Sequence, residues 1–482
     1  MSFVIIPSWP DNFMVSQQEN QVKTIIQQLK AVADPFLVLP SYLPKWRTVA
    51  RSLDLEALPY WSAFDALQRV QKKTQHPMQL ADLTWPKDAQ FVRMFDRVVV
   101  LSNMRQYANV FFAYPNADQI DRIDLLEKGK LVQQLTIDDR GFVSRVLDYE
   151  DGRLKKQSYL SEAGAVVAEQ DYLTGRVKAL LPDGQEKNYP QIDDLILDVT
   201  VAYLKAKAPQ KAFIADSYLN RQLAERVDLA KLFLWTGQAP VQGLYADWTS
   251  LAKEVTLLQS QRPATRIKKQ EKEKTAGIPT AFFEELIAPY PVFFRAPLKR
   301  KRETILYYQL GDLGQDDQET ILKQSLDFVL EDDNRTVIFE GTSVPMTLPA
   351  VLDRLIDGQK GDVTDEQLLQ LKAHFVFLPG QNLDYRLQYL QTASLFIDCS
   401  LQPDLAALAE TVALGLPSIT AVQTAYSVQE PTGQKTVAQL PEQIADLLLA
   451  DNWQKQHEMV LEKAKNLQEA NLLAVYQRLL QD

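Results

Sequence analysis

Residues 127–189 read EKGKLVQQLTIDDRGFVSRVLDYEDGRLKKQSYLSEAGAVVAEQDYLTGRVKALLPDGQEKNY, and the glycines in this stretch decide its reading. Gly129, Gly141, Gly152, Gly164, Gly175 and Gly184 recur about every dozen residues. Between them lie strand-like runs: LVQQLTI, FVSRVLDY, QSYLS, AVVAEQDYL and RVKALL. Asp151-Gly152 and Asp183-Gly184 supply the positive φ that tight hairpins need, and Gly129 and Gly175 stand in similar polar tips. Turn signals at this spacing predict an antiparallel meander, placed at residues 118–189.

Both flanks alternate strands with helices instead. Phe3 to Pro7 reads as a buried strand. Val22, Ile25, Ile26, Leu29 and Val32 have helical spacing, and Phe36 to Leu39 is a second strand. That βαβ unit implies a parallel sheet covered on both faces. A helix around Phe64 to Gln71 and a strand at Val98 to Leu101 continue the pattern. It resumes after the meander with KAFIAD (211–216), a helix near Asn220 to Val227, and KLFLW (231–235). The charged stretch RPATRIKKQEKEK (262–274) reads as a linker or solvated helix. A second α/β region with strands TILYYQL, TVIF, FVFL, LFID and PSIT begins near Thr304.

The expected fold class is therefore α/β, with two Rossmann-type domains and an antiparallel meander inserted in the first. The expected boundaries are 1–117 with 190–290, the insertion at 118–189, a second domain at 291–440, and helices at 441–482 packing across the domains. This layout resembles that of GT-B glycosyltransferases, whose ligands lie at the carboxyl ends of the strands.

A chain of 482 residues, 46% hydrophobic and 24% charged, has the bulk composition of a globular protein with two or three domains. Its net charge of −10 argues against general nucleic-acid binding. One cysteine, Cys399, excludes an internal disulfide framework, and His76, His374 and His457 are scattered. No metal site is expected. The N-terminus lacks the basic and long apolar regions of a signal peptide, and no run approaches the length of a bilayer span. A cytoplasmic location is expected.

The stretch LFIDCSLQPDLAALAETVALGLPSIT (395–420) resembles the donor-binding segment of GT-B enzymes. Glu410, Gly415 and Pro417 stand where that pattern places its second glutamate and its Gly-x-Pro turn, whereas Gln402 replaces the first glutamate. A carboxylate there can accept two hydroxyl hydrogen bonds from a sugar; equally, Glu410 can face solvent on a helix. Two other requirements are missing. The loop QLGDLGQDDQE (309–319) carries Asp312, Asp316 and Asp317, with no basic residue before Lys323. Like charges about 4 Å apart repel by roughly 4 kcal/mol at an effective dielectric of about 20, so this loop would repel a diphosphate. The first loop, PSWPDN (7–12), has no glycine to let backbone approach a phosphate. No catalytic residue and no cofactor is expected.

Four strings then narrow the resemblance: IPSW (6–9), Phe64-Asp65 in a helix, DDRGFVS (138–144) and YLSEAG (159–164). They resemble the glycosyltransferase-like first member of the accessory secretory proteins of Gram-positive bacteria. The likeness runs through nearly the whole chain in order. It implies a pseudo-glycosyltransferase of the accessory Sec system. Its implied partners are an acetyltransferase-like and a small β-rich companion, the accessory SecA motor, and the serine-rich-repeat glycoprotein adhesin whose export they support. Two alternatives stay open: an active glycosyltransferase modifying Ser/Thr-rich protein, and a glycan-binding module without catalysis.

Several residues are candidate contacts. Trp9 ends a strand, where it can stack on a sugar or fill the core. Arg140, Tyr149 and Tyr159 lie in or near DDRGFVS, as a self-satisfied turn or as glycan or partner contacts. Residues 262–302 hold eleven basic and four acidic residues, a local excess of positive charge in an acidic chain. Within it Lys299, Arg300, Lys301 and Arg302 are candidates for an anionic membrane surface, giving a peripheral position at the inner face. The alternative is a linker whose charges serve solubility.

Overall fold

The antiparallel sheet starts well before the glycine-marked stretch. The computed structural model describes residues 3–13, 21–71, 77–113, 119–236, 251–262, 281–293, 295, 298–299, 302–311, 313–341, 344–357, 365–380, 383–428 and 437–481. The chain divides into two compact units: Met1–Glu19, Asp34–Leu234 and Trp248–Val255 form one, and Asn20–Ala33, Trp235–Asp247 and Thr256–Asp482 the other.

In the first unit, β1 (Phe3–Ile6), β2 (Phe36–Leu39) and β3 (Tyr60–Ser62) run parallel. Their runs FVII and FLVL are almost wholly buried, as a sheet covered on both faces requires. The helix between β1 and β2, α1 (Gln21–Val32), buries Ile25, Ile26 and Leu29 as its spacing predicts. It belongs to the second compact unit, however, where it packs on the C-terminal helix Glu469–Gln481. Next come α2 (Trp46–Ser52) and α3 (Ala63–Leu67). The latter is N-capped by Ser62, which accepts from the Asp65 amide, and is shorter than its apolar pattern suggested.

Ten antiparallel strands follow: β4 (Gln90–Arg93), β5 (Arg97–Ser102), β6 (Arg105–Phe112), β7 (Ile120–Glu127), β8 (Lys130–Asp138), β9 (Phe142–Glu150), β10 (Arg153–Leu160), β11 (Val166–Asp171), β12 (Val177–Leu180) and β13 (Glu186–Tyr189). Each pairs with its sequence neighbours. The run Val98 to Leu101, expected in the parallel sheet, is part of β5. The early hairpins escaped notice because they lack glycine. Between β5 and β6, Asn103 and Met104 both adopt left-handed φ, 50° and 58°. Asparagine tolerates that region, but a methionine there is a conformation that sequence reading does not anticipate. By contrast, Lys128-Gly129 and Asp151-Gly152 have positive φ at both central positions, as two-residue hairpins require.

Alternate residues Val98, Val100, Ala108, Val110, Ile123 and Ile137 build one apolar cluster of this sheet. Its last strands pack Tyr159, Val167, Ala168, Val177 and Ala179 against Tyr42, Phe64 and α4 (Ile192–Lys207). The chain then re-enters the parallel sheet as β14 (Lys211–Ala215), on the other side of β1, with β15 (Leu229–Thr236) beyond it.

The second unit has a parallel five-stranded sheet in the order Phe375–Leu378, Arg335–Glu340, Thr304–Gln309, Leu395–Asp398, Ser418–Thr420. Leu306 and Tyr308 face one apolar cluster and Tyr307 the other, so helices on both faces bury the sheet. Helices Leu440–Leu448, Ala450–Asn466 and Glu469–Gln481 close the chain. Among the described residues, no helix is long and apolar enough to cross a membrane.

Candidate functional site at the carboxyl edge of the second sheet

Strand register places Leu378, Glu340, Gln309, Asp398 and Thr420 in a row across the carboxyl edge of the second unit's sheet. This is where a doubly wound sheet holds its ligand. Glu340 is fully buried. It accepts from the Tyr307 hydroxyl, from Arg386 Nε at 3.2 Å and from Arg386 Nη2 at 3.1 Å. The same Nη2 lies 3.0 Å from Asp404 Oδ2. Despite its burial, Arg386 is held in its charged form by Asp404 and Glu340, which raise its pKa above the ordinary value. Burial pushes the Tyr307 hydroxyl up strongly, and Glu340 adds to this.

Asp398 is also fully buried, accepting from Ser400 N at 3.0 Å, Ser400 Oγ at 2.7 Å and Asp404 N at 2.9 Å. Desolvation outweighs those bonds and raises its pKa to about 6. Asp404 in turn caps the helix Leu405–Ala413, accepting from Ala406 N at 3.1 Å and Ala407 N at 3.0 Å. A free helix N-terminus is a phosphate site; this one is already filled by the protein's own carboxylate. The helix Gln315–Leu330 likewise starts with Asp316 and Asp317 in its first turn. These two helix starts are thus negative, and the Arg386 guanidinium is shared by two internal acids.

Glu410 lies partly buried on Leu405–Ala413 and pairs with Arg295, Nε to Oε2 at 3.0 Å. One of the basic residues counted in 262–302 is thereby neutralised. Gln402 is exposed in the loop before that helix. Gly415, with φ at 69°, packs on the helix Ala450–Asn466: a Cβ there would sit 2.8 Å from His457 Cε1. His457 Nδ1 bonds the Gly415 carbonyl at 2.6 Å. The Gly-x-Pro turn is thus a packing point. Lys299 and Arg302 are exposed, whereas Arg300, Lys301 and Asp312, like His76 and residues 263–274, lie outside the described residues.

The first unit gathers the other candidates elsewhere. Trp9 is buried, stacked on Phe13 at 5.3 Å and close to Trp46 at 5.8 Å. Arg140, read as the cation of a polar hairpin tip, is 2% exposed. It bonds Asp138 through Nε at 2.7 Å and Nη2 at 2.8 Å, and Asp65 through Nη1 at 2.8 Å and Nη2 at 2.7 Å. Four charge-assisted bonds leave no guanidinium face for a ligand, which corrects the reading of Arg140 as a glycan or partner contact. Tyr159 is likewise buried, edge-on to Tyr42 at 5.3 Å and against Phe64 at 5.0 Å. Tyr149 is half-buried on β9. Sequence reasoning missed Tyr307, Glu340, Asp398 and Arg386. A charged residue closing an apolar strand, as in RTVIFE and LFID, was the available signal for two of them; Arg386 offered none.

A family profile described as the accessory Sec system protein, accessory secretory protein 1, matches residues 10–231. Over that stretch, a little under half of its length, the chain is similar to this family. An accessory secretory protein 1 of Streptococcus gordonii is 32% identical over 114 residues, 24% of this chain and 21% of that protein. The Staphylococcus aureus member is 21% identical over 432 residues, 85% of this chain and 82% of that protein. Among solved structures, the Glycosylation Associate Protein (Gap123) complex from Streptococcus agalactiae contains a chain of like fold, with TM-score 0.66, 19% identity, and 98% and 99% of the two chains covered. A chain of the GtfA/B complex matches with TM-score 0.72 at 12% identity, covering 100% and 99%. The fold of this chain is thus mixed α/β, with structural neighbours of GT-B glycosyltransferase type.

Proposed function

We propose that this chain is a non-catalytic component of the accessory Sec export system, working from the cytoplasmic side. It assembles with the other accessory secretory proteins and the accessory SecA motor to support export of glycosylated serine-rich-repeat adhesins. The observation that carries the non-catalytic part is the Arg386–Glu340–Asp404 cluster, with Asp404 capping the helix where a diphosphate would sit. Neutralising a leaving diphosphate needs uncommitted positive charge, and this edge is acidic. Support for the assembly comes from the family match over residues 10–231 and from solved chains of like fold. One is in the Gap123 complex, and another is described with accessory secretory proteins 1, 2 and 3 of Streptococcus pneumoniae.

The two halves separate experimentally. Calorimetric titration with uridine diphosphate sugars should give no binding heat at millimolar ligand; binding with turnover would overturn the non-catalytic half. Affinity purification from native cytosol should bring down the companion secretory proteins and the motor, and their absence would overturn the export half.

A further inference from the structure

The first strand of the ten-stranded sheet forms an open edge. β4 pairs with β5 on one side, and among the described residues no strand lies on the other. Gln90, Phe91, Val92 and Arg93 are all exposed. Met94 N donates to the Arg97 carbonyl at 2.8 Å, so strand alternation turns the backbone amides and carbonyls of Phe91 and Arg93 outward. The exposed side chains of Phe91, Val92 and Met94 continue into Phe95, which is 93% exposed at the turn to β5. An apolar edge of this kind is a template for pairing, and folded chains usually blunt it with charge. The opposite edge of the same sheet is blunted: on β13, Glu186 pairs with Lys178 at 3.0 Å and Lys187 with Asp198 at 2.6 Å. The one charged residue on β4 is Arg93.

Charge selects the occupant. Residues 87–105 hold four basic residues, Lys87, Arg93, Arg97 and Arg105, against the acids Asp88 and Asp96. Asp96 lies 3.5 Å from Arg97, and Asp88 accepts from Ser102 Oγ at 2.8 Å and from the Asn103 amide. Among the described residues, Lys87, Arg93 and Arg105 have no ion-pair partner; the Arg93 guanidinium lies over the Phe112 ring, 5.6 Å from its centroid. Phe91 and Arg93 share one face of β4, and Val92 stands on the other. An added strand would therefore set a carboxylate opposite Arg93 and apolar, β-branched residues opposite Phe91 and Val92. A second copy of this chain, paired edge to edge, would bring the same positive excess against itself. We propose that β4 takes up an extended acidic and apolar segment of a partner protein as an added strand. This surface is independent of the export role.

The test uses the full chain and fluorescein-labelled synthetic peptides. One carries adjacent valine and isoleucine flanked by glutamates, a second has lysines for the glutamates, and a third is the glutamate peptide N-methylated at alternate residues. Fluorescence anisotropy should show binding of the glutamate peptide, weakening as salt rises. The lysine peptide should not bind, nor should the N-methylated one, which cannot complete the ladder. Amide exchange in residues 87–97 should slow when the glutamate peptide is bound. Arg93→Glu with Arg105→Glu should weaken the glutamate peptide about tenfold or more and admit the lysine peptide, an exchange of preference that a misfolded variant would not show. No binding of the glutamate peptide, equal binding of the N-methylated one, or an unaltered preference in the double variant would each overturn the proposal. Exchange in residues 87–97 that slows with protein concentration alone would overturn the choice of partner in favour of a second copy. Companion capture plays no part in these readouts, so their failure would leave the export role standing.

Discussion

Asp138, Asp139 and Arg140 are consecutive, yet each meets a different environment. Asp138 is bonded by the Arg140 side chain and by its amide at 2.9 Å. Asp139 turns to α2, accepting from Thr48 N at 2.9 Å and Thr48 Oγ1 at 3.2 Å, while its Oδ1 is buried and takes no hydrogen bond from the described residues. Burial first, then the charge of Asp138, raises the Asp139 pKa to about 6. The unfolded value is about 3.9, so the folded state takes up this proton at the higher pH. Ionised Asp139 therefore destabilises the fold above about pH 6, and the penalty fades as pH falls toward about 4. Asp139→Asn keeps the acceptor for Thr48 and removes the charge. Its urea midpoint should exceed that of the parent at pH 7.5, by up to about 3 kcal/mol in free energy, with the gap about halved at pH 5 and nearly closed toward about pH 4. A variant less stable at pH 7.5, or a gap independent of pH, would refute this account.

At the scale of elements, the hairpin of β8 and β9 is a fastening. Asp139 N donates to the Pro44 carbonyl at 2.9 Å, and Gln68 Nε2 reaches the Ser144 and Leu160 carbonyls, both at 2.7 Å. Arg140 joins this tip to α3 through Asp65, 75 residues away in sequence. Removing one member of a buried ion cluster leaves the others uncompensated, so Arg140→Ala should cost about 3–5 kcal/mol. It should also speed amide exchange at Asp139. Arg140→Lys should recover little, because an ammonium cannot span two carboxylates. Unchanged stability and exchange in Arg140→Ala would show that the tip docks by apolar contacts alone. The hairpin was legible because Gly141 marks its turn. Its burial was not, because nothing local in DDRGFVS points to Asp65 or Thr48.

For the whole molecule, the basic stretch is narrower than its sequence suggests, since Arg295 is committed to Glu410. Lys299 and Arg302 remain exposed. Replacing Lys299, Arg300, Lys301 and Arg302 by alanine should reduce co-sedimentation with anionic vesicles at low salt, at about 1 kcal/mol per residue near the surface. Sedimentation equal to that of the parent would remove the expected membrane contact. Periodicity and turn chemistry in the chain alone were enough to define the parallel strands, the glycine-marked hairpins and the apolar face of α1, because these depend on neighbours a few residues apart. Only tertiary structure decided that α1 packs with the C-terminal helix, that Arg140 is sealed between two aspartates, and that Arg386 is spent on Glu340 and Asp404. Each of those outcomes depends on desolvating charge or apolar surface against at least one partner tens to hundreds of residues away, and no local pattern encodes such a partner.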